Sequence, residues 1–169
     1  LRYITNSGGA IPQNHVQELR RRLPETDMFL MYGLTEAFRS TFLDPKLVDK
    51  KPTSMGQAVP GEEVLILTDE NRIAKPREIG EIVHRGVLVA QGYWKDPELT
   101  KIRYRPYPLQ PEEVPIREMV VFSGDYAWYD EDGDMYFVGR KDEMIKSAGY
   151  RISPTEVEDI LYKMPDVKD

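Results

Sequence analysis

There is no cysteine anywhere in the 169 residues. That removes disulfides, thiolate-ligated zinc and a cysteine nucleophile, and it fits a reducing, cytoplasmic setting. Histidine is almost as scarce. His15 and His84 are the only two, far apart in sequence, so a histidine metal cluster is not expected and a Ser-His-Asp triad has few candidates. No run approaches the roughly 18 apolar residues of a membrane-spanning helix, and no signal-peptide pattern is visible. Positive charge is in deficit, with 23 Lys plus Arg against 29 Asp plus Glu and a net charge of −6. This argues against general affinity for nucleic acid or anionic membrane, while leaving room for a local basic site that meets a phosphorylated ligand.

What is present suits one domain or one and a half. "LRYIT" reads as a buried strand, and "NSGGAIP" as a glycine turn leading into a helix. Val16, Leu19 and Leu23 recur at helical spacing, which predicts an amphipathic helix over residues 13–23. Its basic run, Arg20, Arg21 and Arg22, reads as a solvated helix end. "DMFLMYG" is a short apolar strand, and "LTEAFRSTF" a loop or short helix. Strand, helix, strand at this spacing predicts a βα unit of a parallel sheet. From about Leu43 the chain becomes turn-rich. "EEVLILTD", "EIGEIVHRG" and "VLVAQGYW" read as short strands. "RPYPLQPEEVPIRE" carries four of the 13 prolines and predicts an exposed loop. "EMVVFSGDYAWYDEDGDMYFVG" is a hairpin pattern turned by "DEDGD". "RKDEMIKSAGYRIS" predicts a hinge-like link with a short strand-loop-strand. Ser153, Pro154 and Glu156 predict a capping box opening a last helix. The opening strand and the closing "KMPDVKD" both suggest a piece of a longer protein.

Several stretches carry chemistry. In "MYGLTEA", Tyr32 offers a flat face for a base, Thr35 a hydroxyl for a phosphate oxygen, and Glu36 a hard oxygen for Mg²⁺. These residues stand at a strand's carboxyl edge, where open α/β sheets bind ligands. Taken alone, the stretch fits an ordinary strand end opening a helix equally well. "NSGGA" lets backbone approach a ligand closely, although by itself a plain turn explains it. Asp125 follows a Ser-Gly turn, where a carboxylate can chelate two ribose hydroxyls. Arg140 follows Gly139 and has the planar fork to bind a ribose or phosphate oxygen. A surface Asp-Arg pair worth little is the competing account. "DEDGD" lacks the terminal Glu of a calcium loop and reads as a hairpin turn only.

Together "NSGGA", "YGLTE", "SGD" and "GRKDEMIKSAGYRISPTEVE" occur in the order and at roughly the separations of the adenylate-forming superfamily, which holds acyl-CoA synthetases, luciferases and peptide-synthetase adenylation domains. The chain resembles that superfamily over nearly its whole length. It looks most like AMP-forming acyl-CoA ligases, including those associated with bacterial exosortase systems. The resemblance implies a mixed α/β fold in three parts. Residues 1–45 would end a parallel βα subdomain. Residues 46–138 would form a β-rich, barrel-like subdomain. Residues 139–169 would hold the hinge and the start of a small α+β lid.

The implied reaction has two steps. A carboxylic acid attacks ATP to give an acyl-adenylate and pyrophosphate, and a thiol, usually of CoA, then displaces AMP. The acceptor can instead be the pantetheine of a carrier protein, and a non-catalytic nucleotide-binding module is a further alternative. The resemblance places Gly8, Gly9 and Ala10 behind the adenine with Tyr32 stacked on it, and Gly33 beside them. It places Thr35 at the α-phosphate, Glu36 on Mg²⁺, Asp125 on both ribose hydroxyls and Arg140 near the ribose. It makes Asp142 the pivot and puts Gly149 in the thiol channel. Lys146 is read as structural. The family's phosphate-gripping loop and its catalytic lysine match nothing within residues 1–169, so the chain alone is expected to be inactive. Neither the acyl substrate nor the oligomeric state can be read from these residues.

Overall fold

The computed structural model describes the chain except for Ser7, Ala148, Gly149, Lys163, Pro165, Asp166, Lys168 and Asp169. The fold is mixed α/β and rich in sheet. Strand β1 (Tyr3–Thr5), helix α1 (Gln13–Arg22) and strand β2 (Asp27–Phe29) form the expected βα unit, with β1 and β2 paired in parallel. Val16 and Leu19 turn one face of α1 onto Met28, Leu30, Leu43 and Val48, which form a small core of their own. The opposite face of the helix is polar. Glu18 pairs with Arg21 and Arg22, and Arg20 pairs with Asp49, so the basic run is a solvated helix end. β1 is not buried, since Tyr3 is 61% exposed.

Two expectations are overturned next. "DMFLMYG" is two strands rather than one, because the chain breaks at Leu30 before β3 (Met31–Leu34). "LTEAFRSTF" is neither loop nor helix. Thr35 and Glu36 are a two-residue turn, and β4 (Ala37–Phe42) runs back antiparallel to β3, with Leu34 opposite Ala37. The apolar and β-branched residues of β4 fit a pleated surface better than a helix face.

The remaining strands build one large antiparallel sheet. These are β5 (Ser54–Ala58), β6 (Glu62–Leu67) and β7 (Gly80–Gly86), then, after helix α2 (Pro97–Arg103), β8 (Tyr104–Pro106), β9 (Met119–Tyr129) and β10 (Met135–Arg140). The order is β3-β4-β5-β10-β9-β7-β6, with β8 paired to β9. The sheet therefore runs across residue 45 through the β4–β5 pairing. "VLVAQGYW" forms no strand. Only Val89 touches the ladder, through a single bridge to Ala37. Helix α2 begins on an Asp-Pro signal, in which Asp96 accepts the Leu99 N–H at 2.9 Å and Pro97 takes the first turn, where its missing N–H costs nothing.

β11 (Ile145–Ser147) and β12 (Tyr150–Ile152) pair antiparallel before helix α3 (Pro154–Leu161). The capping box at Ser153 does not form. Its hydroxyl makes no cap bond and instead donates to the Val138 carbonyl in β10, because a buried hydroxyl satisfies a buried acceptor at greater gain than an exposed helix end. Among the described residues no helix is long and apolar enough to cross a membrane.

Candidate functional site

The β9–β10 hairpin and strand β3 bring Asp125, Arg140 and Tyr32 together. Strand register sets Arg140 directly opposite Asp125. Tyr32, from β3, reaches across and donates its hydroxyl to Asp125 Oδ2 at 2.6 Å. Asp125 is 7% exposed, and its other oxygen, Oδ1, is buried with no hydrogen bond. Oδ1 lies 3.4 Å from Arg140 Nε, at ion-pair distance but without hydrogen-bond geometry. Burial pushes the Asp125 carboxyl above the usual carboxylate range, against the lowering influence of Tyr32 and Arg140. Burial and the adjacent carboxylate push the Tyr32 hydroxyl up, so it stays protonated and donating. Buried polar atoms are normally satisfied, so a carboxylate with one oxygen held and the other left over is a site arranged for something that donates.

The ring of Tyr32 stacks on His84 with centroids 5.9 Å apart and planes 18° from parallel. His84 is fully buried on β7, and both its nitrogens lack partners. Burial lowers its pKa to about 4, so the imidazole is neutral. Nothing in the sequence pattern of β7 singled this residue out beyond its being one of two histidines.

Glu36 in the β3–β4 turn is half-buried and accepts the hydroxyl of Tyr93. Its carbonyl accepts Ala90 N–H at 2.8 Å. Burial and Glu36 push the Tyr93 hydroxyl up to about 12, which keeps its proton in place. Among the described residues no hydrogen bond reaches Glu36 Oε2. One half-buried carboxylate with a free oxygen suits Mg²⁺, which takes one or two carboxylates and completes its shell with water and phosphate. Thr35 is exposed beside it. Gly33 has a structural reason of its own, because a side chain there would run into the backbone of Arg39.

Gly8, Gly9 and Ala10 form an exposed loop, with Gly8 at φ +92°. Asn6 ties this loop to β3: its Nδ2 donates to Gly9 O at 3.2 Å and its Oδ1 accepts Met31 N–H at 2.7 Å. The adjacent strand-end Asn was the available signal, and sequence reasoning passed over it. Gly149 lies outside the described residues, as does the side chain of Lys146. Asp142 is exposed and pairs with Arg140 Nε at 3.4 Å.

The carboxylates of "DEDGD" prove to be structural. Asp130, Asp132 and Asp134 converge closely enough to hold a metal ion, but the ammonium of Lys51 sits among them at 2.8, 2.8 and 2.5 Å.

Residues 1–94 match the family model of the AMP-binding enzyme. An uncharacterized acyl-CoA ligase, YtcI of Bacillus subtilis (strain 168), is 41% identical over 82% of this chain and 24% of its own length. Gramicidin S synthase 2 of Brevibacillus brevis is 33% identical over the whole chain and 4% of its own. Among solved structures, the o-succinylbenzoate CoA synthetase MenE of Bacillus subtilis, in complex with its acyl-adenylate intermediate OSB-AMP, superposes with TM-score 0.85. It is 26% identical over 100% of this chain and 32% of its own. The same enzyme has been solved in complex with ATP and a magnesium ion, with TM-score 0.84, 27% identity, and cover of 99% of this chain and 32% of its own. The chain thus spans about a quarter to a third of the length of the single-enzyme ligases it matches. It belongs to the AMP-binding, adenylate-forming enzyme family of acyl-CoA ligases and peptide synthetases.

Proposed function

We propose that the chain is the AMP-binding portion of a longer acid-thiol ligase, which activates a carboxylic acid with ATP and passes the acyl group to CoA. In the first step a carboxylate oxygen bonds to the α-phosphorus of ATP and pyrophosphate leaves. In the second, the CoA sulfur bonds to the acyl carbon, its proton is lost, and AMP leaves.

The reading rests on one observation. Asp125 has Oδ2 held by Tyr32 and Oδ1 buried without a hydrogen bond, so the carboxylate keeps acceptor capacity for ribose hydroxyls. Arg140, directly opposite in register, steadies the same ribose. The loop of Gly8, Gly9 and Ala10 backs the adenine, and Tyr32 and Gly33 face it. Thr35 meets the α-phosphate. Glu36 would hold Mg²⁺, and the ion when bound neutralises charge on the phosphates. The Tyr93 hydroxyl orients the Glu36 carboxylate. Asp142 is the pivot of the lid that follows, and Gly149 borders the thiol path in the second step.

A second acceptor, the pantetheine of a carrier protein, is favoured by the full-length match to a peptide synthetase. Parallel assays with CoA and with a pantetheinylated carrier separate the two.

In the full-length enzyme, Asp125→Ala should cut kcat/KM for ATP by about 2–4 kcal/mol, the scale of losing charge-assisted hydrogen bonds to two hydroxyls. The KM for the carboxylic acid should stay near wild type. Unchanged ATP kinetics in a folded variant sinks the ribose assignment. The 169-residue chain alone should release no pyrophosphate above background with any carboxylic acid, because the charge-stabilising groups outside it are usually the largest catalytic contribution. Turnover by the isolated chain refutes that division of labour.

A further inference from the structure

Glu81, on β7, is 7% exposed and lies outside every motif discussed so far. Its two oxygens do different things. Oε1 accepts the backbone N–H of Gly124 at 3.1 Å, and Oε2 accepts the ammonium of Lys141 at 2.8 Å. The guanidinium of Arg105 stands 3.7 Å from Oε1 and stacks over Phe122.

Gly124 and Lys141 are themselves bonded, since Lys141 N–H donates to Gly124 O at 2.8 Å. Glu81, Gly124 and Lys141 therefore close a ring of three contacts. Gly124 is the residue before Asp125, and Lys141 the residue after Arg140 and before Asp142.

Gly124 needs this support. Its φ is +77°, a left-handed conformation that favours glycine, and a side chain there would collide with Arg103 Nη1. Arg103 occupies that space and donates to Ser123 O at 2.6 Å. A glycine held left-handed at a bulge inside β9 has many unfolded and local alternatives. What selects this one is an acceptor for its N–H from Glu81, a donor for its carbonyl from Lys141, and a guanidinium against its open face. The same bulge fixes where the Asp125 carboxylate points.

We propose that Glu81 is the positioning residue of the nucleotide site, holding the Gly124 bulge of β9 so that Asp125 meets the ribose while tying the bulge to the residue that precedes the pivot. This rests on the reading of Asp125 as the ribose carboxylate. Glu81 touches no substrate and acts through Gly124.

Two variants of the full-length ligase test it. E81Q keeps an oxygen for the Gly124 N–H and loses the charge. E81M keeps the side-chain length and loses the acceptor. E81M should raise the KM for ATP about tenfold, the scale of one lost hydrogen bond to a charged group, while the KM for the carboxylic acid stays within about twofold. E81Q should stay within about threefold of wild type for ATP. Equal losses in the two variants, or an unchanged ATP KM in E81M, overturn the proposal.

Amide hydrogen exchange at Gly124 gives a readout that needs no nucleotide. It should be slow in wild type and E81Q and at least about tenfold faster in E81M. If E81M does not fold, rapid Gly124 exchange in wild type or in E81Q is enough to overturn the idea, and slow exchange in both supports it. Should Asp125→Ala leave ATP kinetics untouched, the ribose reading falls on that result, and Gly124 exchange alone decides whether Glu81 holds the bulge.

Discussion

The β9–β10 hairpin carries acidic groups at both ends, and the two ends are built on opposite principles. At the closed end, Asp130, Asp132 and Asp134 surround the Lys51 ammonium. Asp130 also accepts the Tyr136 hydroxyl and the N–H groups of Asp132 and Asp134. The lone pairs there are taken up by the protein, and Lys51 and the hydrogen bonds hold the Asp130 carboxyl below its ordinary range despite burial. At the open end Asp125 keeps an oxygen in reserve, and burial raises its pKa. The contrast separates carboxylates saturated by the fold from one that keeps unused acceptor capacity. Saturation by internal partners is the discriminator, not acidity or density of charge. A count of carboxylates in the sequence favours the closed end, whereas the chemistry is assigned to the open one.

The sharpest way to break the contrast is at the closed end. Lys51→Met leaves three converging carboxylates without a cation and should cost about 3 kcal/mol of folding stability in urea titrations, with the KM for ATP in the full-length enzyme within about twofold of wild type. Asp125→Ala should do the reverse, damaging ATP use while leaving stability within about 1 kcal/mol. If Lys51→Met is neutral, or if it damages ATP use as Asp125→Ala does, the division of the hairpin into two kinds of end fails.

Acid probes the open end. His84 has its pKa lowered by burial from 6.5 to about 4. The unfolded chain takes up a proton below its ordinary value while the native imidazole stays neutral. The stabilisation is therefore complete above pH 6.5 and is lost progressively as pH falls towards 4, by about 3 kcal/mol in all. His84→Leu removes the titrating group. The stability of the variant relative to wild type should rise by that amount between neutral pH and pH 4. A constant difference across that range would show that His84 is solvated or partnered in solution.

The smallest effect concerns the start of α3. Ser153→Ala removes the buried hydroxyl donor to Val138 and should cost about 1 kcal/mol. A loss confined to α3 helicity, with exchange in β10 unaltered, would mean that Ser153 acts as a helix cap after all.

Much of this was legible in the sequence, for identifiable reasons. The βα unit and the β9–β10 hairpin were readable because local periodicity and turn chemistry agree there. Asp125 and Arg140 could be named as candidates from flanking glycines alone. That they face each other depends on strand register, which no single segment encodes. "LTEAFRSTF" misled because a Thr-Glu pair after an apolar strand resembles a helix start, and only the partner strands β3 and β5 decide in favour of a turn and β4. "VLVAQGYW" has strand composition but makes only a single bridge, from Val89 to Ala37. Glu81, His84 and Asn6 were invisible because their significance lies in contacts made across the sheet or between separated segments, and each sits in an unremarkable stretch.

The Lys51 lock bears on how β9 and β10 come to be aligned next to their turn. Slipping β10 by one residue against β9 would reverse which face each side chain takes. It would also pull Asp134 away from Asp130, so one ammonium could no longer satisfy all three acids. The turn thus acts as a checksum on the alignment of the two strands as far as the bulge between Phe137 and Gly139. A misaligned hairpin is penalised at its closed end, with no ligand needed to report the error.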